Sequence, residues 1–338
     1  MSWQVMKKNL MFNVFIPTFA GRGGYHTEAP NVDKIDVKQV VRYAKECERL
    51  GYDSVLICDH FMYGKDDEIL ESWVTMSTIA SLTKRVKVGS WVFCNSYRHP
   101  AIAAKMAATL DVFSGGRLIF GYGAGWFKRE YDAFGIPFKS PRIRIEEMDE
   151  GLQVIKMLWT LDEVTFKGRY YRLEGAKCLP KPLQKPHPPI MVGAQKPFAI
   201  KIAAKHADIW DTAGVMPFEQ LRHKTSLFKR YCKEFKRNIE SVRISWSGHA
   251  LVRSNHDEIH SFLKELDPGR EWEYTSKIPA YLRRSEVKYT MVGTAEECVE
   301  RIRKTATLGF NSFTLVFIDF PELDSLELFA GEVIPKFK

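Results

Sequence analysis

Apolar residues recur along this chain in short continuous runs, each followed by a stretch with helical spacing. Residues 12–16, 53–57, 86–93 and 118–120 are the first four runs, rich in the β-branched and aromatic residues that favour strands. Residues 37–50, 73–82, 101–112 and about 142–159 have the helical period; the last carries Ile143, Ile145, Met148, Leu152, Ile155 and Leu158 as one apolar stripe. Gly51 stands where a helix C-cap is expected, and Pro100 immediately precedes the third helix. The rhythm then breaks. Residues 164–173 read as a β-hairpin turning at Lys167-Gly168, and residues 179–189 as a Pro-rich extended connection. Strand runs resume at 190–192, 209–212, 242–252 and 312–317, with helices at 198–205, 218–235, 294–308 and 323–333. Residues from about 268 to 285 are charged and aromatic without a period and read as a lid-like insertion.

Continuous apolar strands imply a sheet covered on both faces, and strands alternating with helices imply that it is parallel. About eight such units over 338 residues favour one α/β domain, residues 1–338. The architecture expected is a (β/α)8 TIM barrel with insertions at about 162–189 and 268–285. Barrels of this kind carry their chemistry at the C-terminal ends of the strands, so those positions are the ones to inspect.

Composition narrows the class. Apolar residues make up 45% and charged residues 27%, as in globular proteins. No apolar run approaches the ~18 residues that span a bilayer. The N-terminal segment lacks a signal-peptide core, so a cytoplasmic protein without membrane contact is expected. Six cysteines without C-x-x-C spacing argue against both zinc and a disulfide scaffold. The net charge of +9 suits a polyanionic small ligand; basic residues are interleaved with acids, so nucleic acid is not expected as a partner.

Four strand ends hold candidate chemistry. Asp59-His60-Phe61 follows the second run, and an imidazole there suits proton transfer near neutral pH. Asn95 and Ser96 follow the third, as ligand contacts or as ordinary helix caps. The fourth feeds Gly121-Tyr122-Gly123-Ala124-Gly125 and an aromatic-basic segment opening at Trp126, read as helical. Glycines let backbone approach a phosphate and helical amides point at it, although such turns also use glycine for geometry alone. The fifth feeds a second small-residue loop, Gly193-Ala194-Gln195-Lys196-Pro197, so that two loops could share one phosphate-bearing ligand. Trp210, in the sixth run, suits core and cofactor platform equally. A nicotinamide-binding Rossmann unit is disfavoured, because the loop follows the fourth strand and lacks both G-x-G-x-x-G spacing and a later strand-end acid. His26 and His99 could ligate a metal, but neither has partners at a suitable spacing, and no metal is expected.

Together Asp59-His60-Phe61, Asn95-Ser96-Tyr97-Arg98-His99-Pro100, Lys105-Met106-Ala107-Ala108-Thr109-Leu110-Asp111, Ser114-Gly115-Gly116-Arg117 and Gly123-Ala124-Gly125-Trp126 resemble the bacterial luciferase-like superfamily, in particular its branch of deazaflavin (coenzyme F420) dependent oxidoreductases. The resemblance implies a barrel that binds the tricyclic ring in its mouth and transfers hydride to or from a small organic substrate. It implies His60 as acid/base and Asp59 as a ring-contacting or orienting residue. A non-proline cis peptide under the ring falls at Ser90-Trp91. Gly123, Ala124 and Gly125 form the phosphate loop, Gly193 and Ala194 the second loop, and Asn95 and Trp126 flank the ring. Sugar-phosphate dehydrogenases of the family carry a glutamate where this chain has Trp126, so a more apolar or aromatic pocket is expected. An FMN-dependent monooxygenase and a non-catalytic flavin-binding barrel are the alternatives; a metal-dependent hydrolase is a remote one. Pairing through early helices implies a homodimer. Segments near Gly21 to Gly24 and residues 268–284 would exclude water.

Overall fold

The computed structural model describes residues 10–22, 28–214, 216–266 and 290–338. Eight parallel strands form a barrel: β1 Met11–Phe15, β2 Ser54–Ile57, β3 Lys87–Ser90, β4 Leu118–Gly123, β5 Ile190–Gly193, β6 Ile209–Asp211, β7 Arg243–Val252 and β8 Ser312–Phe317. Each pairs with the next, and β8 pairs with β1 to close the ring. The expected (β/α)8 barrel is the fold, and closure leaves the ring without a free edge.

Alternation along the strands sorts side chains into two populations. Phe12, Val14, Val55, Ile57, Val88, Leu118, Phe120, Val192, Trp210, Phe313 and Leu315 face outward into the core shared with the helices. Trp210 is therefore core, stacked on Phe228 with ring centroids 4.3 Å apart. The intervening residues fill the interior. Met11, Leu56, Ile119, Met191 and Ile209 make one apolar layer. Phe15, Phe19, Cys58, Tyr63 and Val316 make another, towards the C-terminal strand ends. A polar seam also runs through the interior: the Asn13 side chain donates to Ser312 Oγ at 2.9 Å and accepts from Ser54 Oγ at 2.7 Å.

Helices Val37–Arg49, Ser72–Leu82, Pro100–Phe113, Pro141–Thr160, Pro197–His206, Phe218–Glu234 and Ala295–Ala306 lie within two residues of the expected bounds. Other elements differ for identifiable reasons. β4 runs on through Gly121 to Gly123, which were expected in the loop. The glycines are needed inside the strand because the chain after β3 crowds it: a Cβ on Gly121 would collide with the Ser90 carbonyl. The segment after Trp126 turns helical only over Lys128–Ala133, six residues. The hairpin pairs Val164–Lys167 with Arg172–Ala176, so its turn is wider than Lys167-Gly168. The Glu150 carboxylate holds that turn by accepting the amides of Arg169, Tyr170 and Tyr171. The closing helix is broken into Asp324–Leu328, a wider turn Phe329–Val333 and the tight turn Ile334–Lys336. Helix His256–Leu266 and strand Met291–Gly293, which pairs with β7, were not anticipated. The lid-like insertion at 268–285, residues 23–24 of the other covering loop, and His26 lie outside the described residues.

No helix among the described residues is long and apolar enough to cross a membrane. The six cysteines are unpaired and buried. Gly121→Ala is expected to cost about 1–3 kcal/mol through overpacking against the Ser90 carbonyl. Gly331→Ala, where nothing lies within 4 Å, is the neutral control. Urea denaturation of the two variants should separate them, and equal midpoints would contradict the crowding argument.

Candidate active site

A cavity of about 350 Å³ opens at the C-terminal mouth of the barrel. β2 supplies Cys58, Asp59, His60 and Tyr63 to its wall; the chain after β3 supplies Trp91, Val92, Phe93, Cys94 and Tyr97. Gly123, Ala124, Gly125 and Trp126 follow from β4; Gly193, Ala194, Gln195 and Lys196 follow from β5. Ile145, Ala199 and Ala213 complete it. Nine of the residues expected from the sequence thus border one space: Asp59, His60, Trp91, Gly123, Ala124, Gly125, Trp126, Gly193 and Ala194.

His60 brings an imidazole to this wall. Its ring lies flat on Tyr63, with centroids 4.2 Å apart, and edge-on to Trp126 and Phe127. Nδ1 meets Glu130 Oε2 at 2.7 Å. Glu130 is buried to 0% exposure and also accepts the Tyr97 hydroxyl at 2.6 Å, the Met62 amide at 2.8 Å and the Phe61 amide. Burial alone would raise its pKa; the His60 ring, the Tyr97 hydroxyl and the Met62 amide outweigh that and hold it below the ordinary carboxylate range. An anionic Glu130 fixes a proton on Nδ1, which leaves Nε2 as the nitrogen available to the cavity. Burial pushes the Tyr97 phenol well up, and Cys94 and the hydrogen bond to Glu130 add to it.

Glu130 escaped the sequence reading. It sits on the six-residue helix Lys128–Ala133, too short to show a period, and its partner His60 is 70 positions away. The available signal was an acid inside an otherwise aromatic-basic segment, just after the glycine-rich stretch.

Asp59 is a structural anchor. Its carboxylate accepts both contacts from Arg98 Nη1, at 2.9 and 3.0 Å, with the Ser72 hydroxyl at 2.7 Å and the Cys94 amide at 2.9 Å. Three donors hold it against β3's continuation, so it orients the wall that carries His60. Ser90 and Asn95 do not border the cavity among the described residues. Ser90 Oγ donates to the Gly121 carbonyl at 3.0 Å and accepts from Phe93 N at 3.2 Å. Asn95 donates to Tyr171 at 3.1 Å and accepts from Tyr122 at 2.7 Å. Both tie the β3–β4 seam from behind. Ser96, weighed with Asn95 as ligand or cap, is also absent from the wall.

The cis peptide lies at Trp91–Val92, one bond later than Ser90–Trp91. Ser90 is still in register with Ile57, and the Trp91 amide donates to the Ile57 carbonyl at 2.7 Å, so the ladder holds the chain one residue further.

The two small-residue loops differ. Gly125 has φ +73°, and a Cβ there would collide with the Tyr131 hydroxyl and Cys94 Sγ, which meet at 3.0 Å. Internal packing therefore demands this glycine. The helix that follows is one turn and a half with an acid in its first turn, a poor anion seat. The loop after β5 instead leads into the ten-residue helix Pro197–His206, with Lys196 at its N-cap and no side-chain cap. Lys224 Nζ donates to the Gln195 carbonyl at 2.8 Å. Burial first, and Lys196 second, lower the Lys224 pKa, so two like charges crowd this loop. Uncapped amides and crowded ammonium groups match a phosphate. Cys58 and Cys94 add neutral lining: burial raises both thiols, Cys94 to about 12. No cluster of three or more metal-ligating side chains occurs among the described residues.

A family model described as luciferase-like monooxygenase matches residues 10–312. The FMNH2-dependent dimethylsulfone monooxygenase of Pseudomonas putida is 26% identical, over 98% of this chain and 96% of its own. The F420-dependent glucose-6-phosphate dehydrogenase of Amycolatopsis mediterranei (strain U-32) is 33% identical over 55% of each chain. Among solved structures, an F420-dependent secondary alcohol dehydrogenase in complex with an F420-acetone adduct superposes with a TM-score of 0.74 at 22% identity, covering 98% of this chain and 99% of that one.

A carboxyl whose folded pKa is depressed stabilises above its unfolded value, about 4.3 for glutamate, and that contribution vanishes as pH falls through the folded value. Wild-type stability should therefore drop on acidification below about pH 4–5 more steeply than that of Glu130→Gln. Chemical denaturation across pH 3–7 would show the difference, and parallel profiles would remove Glu130 from the account.

Proposed function

The chain belongs to the luciferase-like monooxygenase family, and we propose that it is an F420-dependent oxidoreductase acting on a small organic substrate with His60 as acid/base. The observation that carries the reading is a single cavity bordered by the His60 imidazole, both small-residue loops and the Trp91 and Val92 side chains. The residues fit the cofactor: an aromatic and small-residue wall of Trp91, Val92, Gly123, Ala124 and Trp126 would face a flat ring, and Lys196, Lys224 and the uncapped helix Pro197–His206 would hold its phosphate-bearing tail. The bound deazaflavin would supply the two-electron chemistry. The chain's own part is to hold, orient and protonate. Glu130 keeps the His60 proton on Nδ1, Asp59 and Arg98 brace the wall behind it, and Tyr63, Trp126 and Phe127 give an apolar, aromatic surround. Trp126 in place of a glutamate disfavours a sugar phosphate.

FMN remains the second reading, as a monooxygenase, and the near full-length likeness to an FMNH2-dependent relative favours it. The net charge of +9 and the cationic β5 loop support the deazaflavin, whose acidic tail is longer. Within this reading the protein works in the cytoplasm.

We also infer a homodimer. Helices Ser72–Leu82 and Pro100–Phe113 turn Val74, Leu82, Ile102 and Phe113 outward, Phe113 with 84% of its surface exposed. Val74 and Phe113 border one surface hollow between the two helices, and exposed large apolar side chains gathered in this way suit an interface.

Titration of the purified protein with each cofactor should give tighter binding for F420. His60→Ala should leave that affinity nearly intact while lowering turnover by roughly 10²–10⁴. Tighter FMN binding would transfer the reading to the monooxygenase, and undiminished turnover would dismiss His60. Light scattering should give twice the chain mass for wild type and the single mass for Val74→Glu/Phe113→Glu; an unchanged mass would place the contact elsewhere.

A further inference from the structure

Apart from Ile145 and Ala199, on the helices that follow β4 and β5, every residue bordering the cavity lies at or just past the ends of β2 to β6. The ends of β1, β7 and β8 contribute none among the described residues, although a closed barrel presents all eight strand ends to one mouth. An indole stands between the two halves. Trp91 borders the cavity on one side and, on the other, meets the Phe15 ring edge-on at 5.3 Å. It packs against both interior apolar layers at once. Its polar end is fixed as well: Nε1 donates to Asp211 Oδ1 at 3.0 Å. Asp211 is fully buried, and the same oxygen accepts the Ser247 hydroxyl at 3.0 Å and the Ala213 amide at 2.7 Å. The clamp thus ties the β3 bulge to β6 and β7 across the barrel.

An indole is the largest side chain available, and a hydrogen bond to a buried carboxyl removes its freedom to swing. We propose that Trp91, held by Asp211, is a partition that closes the β1–β7–β8 half of the mouth and so sets the size of substrate the cavity admits. Trp91 acts as the wall; Asp211 is a positioning residue acting through it. As a statement about substrate choice the inference rests on the proposed function; as a statement about the cavity it does not.

The test uses the full chain and a neutral readout, 1-anilinonaphthalene-8-sulfonate fluorescence, with circular dichroism and melting curves as controls for folding. Trp91→Ala should bind about one equivalent of dye at least tenfold more tightly than wild type while melting cooperatively. Asp211→Leu should show a smaller gain, and Asp211→Asn, which keeps an acceptor oxygen, should resemble wild type. Folded Trp91→Ala that binds no more dye than wild type would overturn the partition. Should Trp91→Ala fail to fold, Asp211→Leu and Trp91→Phe decide: both must gain dye binding over Asp211→Asn, and equality among the three rejects the clamp. Failure of wild type to bind F420 or FMN would sink the proposed function and leave the dye comparison standing.

Discussion

A carboxylate taken out of water must be met by donors, and the mouth of this barrel is arranged around that requirement. Glu130 and Asp59 are both buried; Glu130 collects four donors and Asp59 three, most of them from other segments of the chain. Removing any donor would leave charge uncompensated, so the two carboxylates fix where the chain can pass. The end of β2, the bulge after β3 and the short helix after β4 are joined through them. His60 has a defined orientation because its ring is one of Glu130's donors, pressed from the other side by Tyr63.

Much of this was legible in the chain. Strands buried on both faces appear as uninterrupted apolar runs, so β1, β2, β5, β6, β7 and β8 could be placed almost to the residue, whereas β3, expected to reach Phe93, stops at Ser90 and the chain re-pairs only at Phe93–Cys94. β4 ended too early because glycine signals a loop, whereas Gly121 and Gly123 are glycines for lack of room beside Ser90 and Val92. That crowding comes from a neighbouring strand and has no local signature. The same holds for Glu130, whose meaning lies in a contact with His60. Asn95 was singled out for its polar side chain at a strand end; it does make hydrogen bonds there, with Tyr171 and Tyr122 of the protein itself. Ligand and scaffold compete for such groups, and only coordinates tell which has won.

The two small-residue loops illustrate how one motif can serve different ends. Around Gly125 the missing side chain makes way for Tyr131 and Cys94, while the loop after β5 brings two ammonium groups beside a helix start without a side-chain cap. Anion affinity follows from what the surroundings leave uncompensated, and glycine content by itself does not reveal it. The similar proteins include one named for FMNH2 and one named for F420.

The polar seam in the barrel interior bears on how the ring is completed. β8 must find β1 across nearly the whole chain, and apolar faces alone would tolerate a sliding fit. Asn13 reaches Ser312 on one side and Ser54 on the other. A shift of one residue would turn Asn13 outward among the aromatic rings around Phe12 and strand its amide without partners. Three small polar side chains thereby act as a key for the last joint, making the mis-threaded cylinder costly before any ligand has arrived.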